Sequence, residues 1–190
     1  MKIVLEHITP DAEEKIASYA AICYDSDTSE EANQRRVKHL IKVGHLATLR
    51  FAHATFRVEG ISRACANQFV RSKHLDFLQE SMRYVSMKDT QFVWPQAFKD
   101  EMEEEVLKVQ EEIWRFTYTK LVEKGFKKED ARCVLPLGTA TKLVVTGNLQ
   151  AWHDFIKLRT DKAAQWEIRE VASQIRDVLK QECPNVFASC

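Results

Sequence analysis

The chain has 190 residues, 45% hydrophobic and 29% charged, a balance that suits one ordinary domain with a buried core and excludes a disordered or membrane-embedded chain. Lys plus Arg and Asp plus Glu each total 28, so no global field favours nucleic acid or an anionic membrane, and any anion site has to be local. A single domain over residues 1–190 is the expectation.

Residues 2–8 alternate loosely and predict a strand. Thr9-Pro10 then places an N-cap before a proline at the first helical position, so a helix is expected to about Cys23. Asp27, Thr28 and Ser29 offer caps for a second helix through Val43, stopped by Gly44. Residues 51–58 are β-like and end at Gly60, with a short helix starting near Ser62. Residues 71–79 lose periodicity and read as a loop or irregular helix end, the kind of segment on which sites are built. Residues 90–94 predict a strand closed by Pro95. Met102, Val106, Val109, Ile113 and Phe116 recur at helical spacing, which predicts one long amphipathic helix over 96–124 with this stripe facing the core. A short helix over 129–135, stopped by Pro136, precedes a β-branched strand over 140–146, and Gly147-Asn148 signals a turn. A short helix over 151–158 follows. Ala164, Ile168, Val171, Ile175 and Val178 mark a last long helix ending before Pro184. The class is α/β or α+β, without repeats or linkers.

No stretch approaches the ~20 apolar residues of a membrane helix and residues 1–10 lack a leader's apolar core, so the cytoplasm is the expected compartment. Cys23, Cys65, Cys133, Cys183 and Cys190 are scattered and never spaced CxxC. They read as buried or idle thiols rather than a disulfide framework or zinc ribbon, and no metal site is expected. There is no Gly-rich phosphate loop, nucleophile elbow or HExxH. What remains is one aperiodic segment carrying Arg71, Lys73, Ser81 and Arg83. Guanidinium donors beside a hydroxyl suit a phosphate or planar heterocycle, although such a segment can equally be a solvated loop. Arg132 and Arg159 lie among apolar residues, where an arginine either snorkels outward or pairs with an anion.

Residues 60–71 (Gly-Ile-Ser-Arg-Ala-Cys-Ala-Asn-Gln-Phe-Val-Arg) resemble the run that precedes the signature of flavin-dependent thymidylate synthases. Residues 71–84 (Arg-Ser-Lys-His-Leu-Asp-Phe-Leu-Gln-Glu-Ser-Met-Arg-Tyr) lie over that signature, RHRxxSxxxxSxRY with Gln or Glu two places before its second Ser. Residues 131–137, Asn148 and residues 158–169 are similar to the family's carboxy-terminal blocks in order and spacing, and Gly44-His45 resembles the start of its GHxxxxEH element. The resemblance covers nearly the whole chain. It implies a ThyX-like fold, a sheet packed with long helices, in a homotetramer whose active sites are shared between subunits. The implied reaction converts dUMP to dTMP with FAD as redox relay, methylenetetrahydrofolate as carbon source and NADPH or a similar reductant.

By the same resemblance Gln68, Arg71, Gln79, Glu80, Ser81, Met82, Arg83, Arg132 and Arg159 hold dUMP. Guanidinium groups give a dianionic phosphate charge-assisted, bidentate bonds. Ser81 is expected to donate a hydrogen bond rather than act as nucleophile, because no adjacent base is evident. Arg159 matches the arginine that contacts the pyrimidine and favours ionisation at N3, and is the expected catalytic residue. The FAD positions are His53, Arg71, Ser72, Lys73, Gln79, Asn148, Gln150 and Asp154.

Departures concentrate in this flavin set. The family's RHR is Arg71-Ser72-Lys73, a common Arg is Gln150, and the Glu-His of GHxxxxEH is Arg50-Phe51. Lys73 keeps a charge without the planar fork, and Ser72 loses a titratable ring. Two readings stay open: neighbours such as His74 or Lys73 compensate, or the pyrimidine site persists with a changed outcome. That outcome is hydroxymethylation, methylation of UMP, or dUMP binding without catalysis. His7, His39 and His153 read as surface or satisfied residues, and His45 aligns with a family position. Tyr84 reads as core packing beneath the site or as a substrate contact.

Overall fold

The computed structural model describes residues 1–23 and 25–190. In chain order the elements are β1 (Lys2–Ile8), α1 (Ala12–Ile22), α2 (Glu30–Val43), β2 (His53–Ser62), α3 (Arg63–Phe69) and β3 (Leu75–Gln79), then α4 (Gln96–Glu101), α5 (Glu104–Glu123), α6 (Lys128–Ala131), β4 (Ala140–Asn148), α7 (Leu149–Arg159) and α8 (Trp166–Glu182). Short 3₁₀ helices occupy Leu46–Phe51 and Arg132–Val134. The mixed α/β class holds, with an antiparallel sheet in the order β1-β2-β4-β3. No helix of the described residues is long and apolar enough to cross a membrane. The chain divides into two compact units, residues 1–2, 58–68 and 78–143, and residues 3–57, 69–77 and 144–190.

In the second unit α7 and α8 pack their apolar faces into a core shared with α1 and β2. Trp152 is fully buried, meets Phe56 edge-on at 5.1 Å, and donates its Nε1–H to the Ala54 carbonyl at 3.0 Å, so the indole satisfies its polar atom while anchoring helix to strand. Ile168, Val171 and Ile175 of α8 are buried as their spacing predicts, but Leu179 rather than Val178 continues the face. Near its end the chain is clamped by Glu13 of α1, whose carboxylate accepts from Asn185 N (2.7 Å), Asn185 Nδ2 (2.6 Å) and Val186 N (2.8 Å). The start of α1 differs from expectation. Pro10 and Asp11 form a turn with Asp11 left-handed (φ 51°), the helix opens at Ala12, and the Thr9 hydroxyl instead accepts from His53 N at 2.9 Å. A side chain recruited by a neighbouring strand is unavailable as a local cap. Gly44 does end α2, in the left-handed region at φ 75°.

In the first unit the expected helix over 96–124 is broken. Met102 and Glu103 are extended between α4 and α5. An unbroken helix would set Glu101 against Glu105 at i,i+4. The break removes that repulsion and puts Glu104 and Glu105 in the first turn of α5, where the helix dipole favours them. The apolar stripe does not face the core. Val109, Ile113 and Phe116 are 54%, 51% and 63% exposed, while Leu107 and Tyr118 of the same helix are buried. Residues 90–94 form only an isolated bridge, Phe92 to Thr139, and the segment is held by ring packing instead, Trp94 stacking on Trp114 at 5.6 Å and donating to Glu111 at 2.7 Å.

Two elements lie where the sequence pattern shows a loop or turn. Leu75–Gln79 is an edge strand, β3, and Gly147-Asn148 completes β4 rather than turning. Gly147 lacks a side chain because one would meet Leu75 and the His74 carbonyl.

Phe69, fully buried, stacks on Phe155 with centroids 4.7 Å apart and meets Phe77 edge-on at 5.9 Å. Phe69→Ala is expected to cost about 3–5 kcal/mol of stability, read as a lowered midpoint in urea denaturation.

Candidate functional site

The first unit gathers the intact half of the signature. Beyond β3 the Glu80 N–H bonds the Lys142 carbonyl at 3.0 Å, and the chain then turns, with Tyr84 N and Val85 N both donating to the Ser81 carbonyl. Met82 drives its side chain into a buried cluster with Met87, Tyr118 and Ala131. This anchors the turn and leaves only the Met82 backbone to face a ligand. Ser81 Oγ accepts from Arg83 N at 3.3 Å, so its hydroxyl proton is free to donate outward. Gln79 Nε2 bonds Thr141 Oγ1 at 3.3 Å.

Glu129 organises the cations. Its carboxylate accepts from Arg83 Nε at 2.6 Å, and its backbone carbonyl accepts from Arg132 Nε at 2.9 Å. Both guanidinium groups are therefore fixed by Nε and present their forked ends to solvent. Arg132 snorkels outward from its apolar neighbourhood, one of the two alternatives its sequence left open. The Glu80 carboxylate, largely buried, pairs with Lys142 at 3.2 Å. Tyr84 is 75% exposed with the Arg83 guanidinium 5.8 Å from its ring centre, so it does not pack beneath the site. Gln68 also lies in this unit, at the end of α3.

The second unit holds Arg71, Arg159 and all the flavin positions except Gln79. Leu149 N donates to the Ala52 carbonyl at 2.9 Å, which sets the start of β2, with His53, against the junction of β4 and α7. There Asn148 caps α7, its Oδ1 accepting from Ala151 N at 2.9 Å. Gln150 receives a 2.7 Å bond from Arg50 Nε. The loop 70–74, with Arg71, Ser72 and Lys73, ends at a left-handed His74 (φ 64°) whose carbonyl lies close to Gly147. Arg71, Lys73 and His53 are exposed, and the Ser72 hydroxyl is buried without a partner among the described residues. Asp154 lies one helical turn beyond Gln150. Arg159 is on the last turn of α7, about 13 Å along the axis from Gln150, so these two are not brought together within the chain.

His7 and His39 are exposed as expected. His153 is half-buried with its Nδ1 3.9 Å from the Asp154 carboxylate, and burial pulls its pKa down. No disulfide joins any of the five cysteines. Cys183 is pushed up to about 12 by burial and by the charges of Glu13 and Glu182, which leaves it no thiolate at neutral pH.

A model of the family described as thymidylate synthase complementing protein matches residues 4–185. The chain belongs to the flavin-dependent thymidylate synthase family. Relatives bearing that name include one from Mycobacterium avium (strain 104), 34% identical over 87% of this chain and 74% of its own length. Another, from Mycobacterium marinum (strain ATCC BAA-535 / M), is 34% identical over 94% and 80%. A third, from Mycobacterium leprae (strain Br4923), is 35% identical over 87% and 75%.

Two residues of these clusters, Glu129 and Arg63, escaped the reading of motifs, and Arg50 entered it only as a departure from the family pattern. Glu129 and Arg50 act through partners 46 and 100 positions away, for which no local signal exists. Arg63 had one: it is a lone charge in a run of otherwise small or apolar residues, 61–66. Hydrogen bonding and attraction from Arg83 hold the exposed Glu129 carboxyl below the ordinary value of 4.5. A lowered folded-state pKa means that the pair's contribution is present above the ordinary value and is lost as pH falls through the lowered one. Carboxyl NMR titration should find Glu129 low in the parent and raised toward the ordinary value in Arg83→Ala.

Proposed function

We propose that the protein is a flavin-dependent thymidylate synthase that methylates dUMP to dTMP, with methylenetetrahydrofolate as carbon source and NADPH or a similar reductant. The observation that carries this reading is the turn at 80–84 with Arg83 and Arg132 both held through Glu129. Two forked guanidinium ends beside the free Ser81 hydroxyl proton suit a phosphate dianion, each charge-assisted bond contributing roughly 1.5–3 kcal/mol. Gln68, Gln79 and the backbone of Glu80 and Met82 complete the dUMP set, with Arg71. Ser81 binds rather than attacks: its Oγ partner is an amide N–H, and no base is bonded to it among the described residues. Arg159 is the catalytic residue of the proposal, its cation stabilising negative charge that develops on the pyrimidine.

The donor set of the second unit fits FAD. Arg71 and Lys73 offer exposed cations for a diphosphate, the buried Ser72 hydroxyl lacks a partner among the described residues, and the Asn148 amide N–H₂ is left over once Oδ1 caps α7. Arg50 replaces the Glu of the family pattern and bonds Gln150, which replaces an Arg, so a guanidinium returns to that neighbourhood from the other side. His53, Gln79 and Asp154 would complete the set. When bound, the flavin supplies the hydride chemistry that no side chain of the protein can perform.

A homotetramer with the ThyX-like fold is part of the proposal. The half-exposed Val106, Val109, Ile113 and Phe116 form a long apolar face on α5, of the kind that marks protein contacts, and a subunit partner would let Arg159 complete a neighbouring site. Val109→Asp with Ile113→Asp should lower the mass measured by light scattering.

Purified protein is expected to be yellow and to turn dUMP into dTMP. Arg159→Ala should lower kcat by about a hundredfold or more, and Arg83→Ala should raise the dUMP KM about tenfold with a smaller change in kcat. Colourless protein that FAD cannot reconstitute would overturn the flavin step. A product other than dTMP would overturn the stated outcome, and both arginine variants behaving like the parent would overturn the site.

A further inference from the structure

We propose that Arg63, the first residue of α3, is a positioning residue of the nucleotide site. It ties down the Glu80 carbonyl at the mouth of the 80–84 turn and places a third guanidinium charge beside the residue that precedes Ser81. The proposal rests on the dUMP reading and adds to it a residue outside the signature.

Arg63 is held in the opposite sense to its two neighbours. Its Nη2 donates to the Glu80 carbonyl at 3.1 Å, while its Nε is buried and has no partner among the described residues. Arg83 and Arg132 use Nε for the protein and leave their forks outside. The bond falls on the residue just before Ser81, whose other peptide group is fixed by Glu80 N donating to Lys142. Arg63 and Lys142 thus pin the two sides of the Glu80 backbone, and Met82 pins the turn from below. The orientation of the Ser81 hydroxyl and the Arg83 N–H depends on this three-point support.

A neutral donor would hold the Glu80 carbonyl with less electrostatic opposition. Burial is the largest influence against the Arg63 charge; the Glu80 carboxylate offsets part of it, and the Arg132 cation adds repulsion. Arginine keeps its proton regardless. The Glu80 charge is already matched by Lys142 at 3.2 Å, so the Arg63 charge has an unmet use. A dianion arriving at Arg83 and Arg132 converts the mutual repulsion of the cations into shared attraction, and most strongly for the doubly charged phosphate.

Charge is what separates this role from simple structural support. Arg63→Gln keeps a donor for Glu80 and loses the charge, whereas Arg63→Lys keeps the charge. Calorimetric titration with dUMP near pH 5.5 and near pH 7.5 brackets the second phosphate pKa of about 6, and the parent should bind more tightly at the higher pH. In Arg63→Gln the affinity at the higher pH is expected to fall roughly tenfold to a hundredfold, with the pH preference flattened, and Arg63→Lys should recover most of both. Affinity in Arg63→Gln within about twofold of the parent, an equal loss at both pH values, or a lysine variant no better than glutamine would overturn the proposal. If Arg63→Gln melts below the assay temperature, Arg63→Lys decides. Affinity within about threefold of the parent with the pH preference intact supports the role, and a larger or pH-independent loss ends it. A parent that binds no dUMP refutes the nucleotide reading, and inorganic phosphate then decides Arg63 by itself. Phosphate raising the Tm of the parent and of Arg63→Lys but not that of Arg63→Gln keeps it as an anion-positioning residue, and an equal rise in all three ends the proposal. No phosphate effect on the parent ends both.

Discussion

A cation can serve a ligand only if the protein fixes it without using it up, and the nucleotide half of this site depends on how Glu129 meets that constraint. One residue supplies two acceptors, a carboxylate for Arg83 and a carbonyl for Arg132, and each takes the Nε–H of its arginine. The planar fork on the far side of each guanidinium stays available for bidentate bonding. A lysine in either position could not divide its donors in this way. The acid sits on α6 and Arg132 opens the 3₁₀ turn that follows, so their spacing is set by four residues of helix and is insensitive to distant motion.

The second unit solves a different problem, bringing short segments to one end of a sheet. β2 begins and β4 ends at the same edge of the structure, with Ala52 accepting from Leu149 and Thr55 bonded to Thr146 at 2.8 Å. Because Gly147 has no side chain, the loop that ends at His74 can lie against β4 there. Two of the residues that depart from the family pattern are linked to each other here, Arg50 to Gln150, and the neighbouring Phe51 meets Tyr19 with ring centres 5.7 Å apart. Substitutions that contact each other can change together without either losing its partner.

Much of the fold is legible because helices announce themselves by period and punctuation. The last long helix follows Ile168, Val171 and Ile175, and α2 stops at Gly44. Periodicity reports an apolar face without saying what covers it, so the stripe of α5 reads as core although it is half exposed. The edge strand β3 is invisible for the converse reason. Its five residues include Asp76 and Gln79, and its pairing comes from a strand more than sixty positions later. Within the site, Ser81, Arg83 and Arg132 are recognisable through the resemblance. The acid that orients them is not, since nothing local tells Glu129 from the many other glutamates of the chain. The Thr9-Pro10 cap fails because His53, far away in sequence, claims the threonine.

The Glu13 clamp bears on how the protein is made. Its three bonds join α1 to backbone and side-chain groups 172 and 173 positions later. During synthesis at about 5–20 residues per second, Glu13 therefore waits on the order of ten to thirty seconds for its partners to be translated. α1 cannot reach its final setting until Asn185 and Val186 have been made, which places it among the last elements of the second unit to lock.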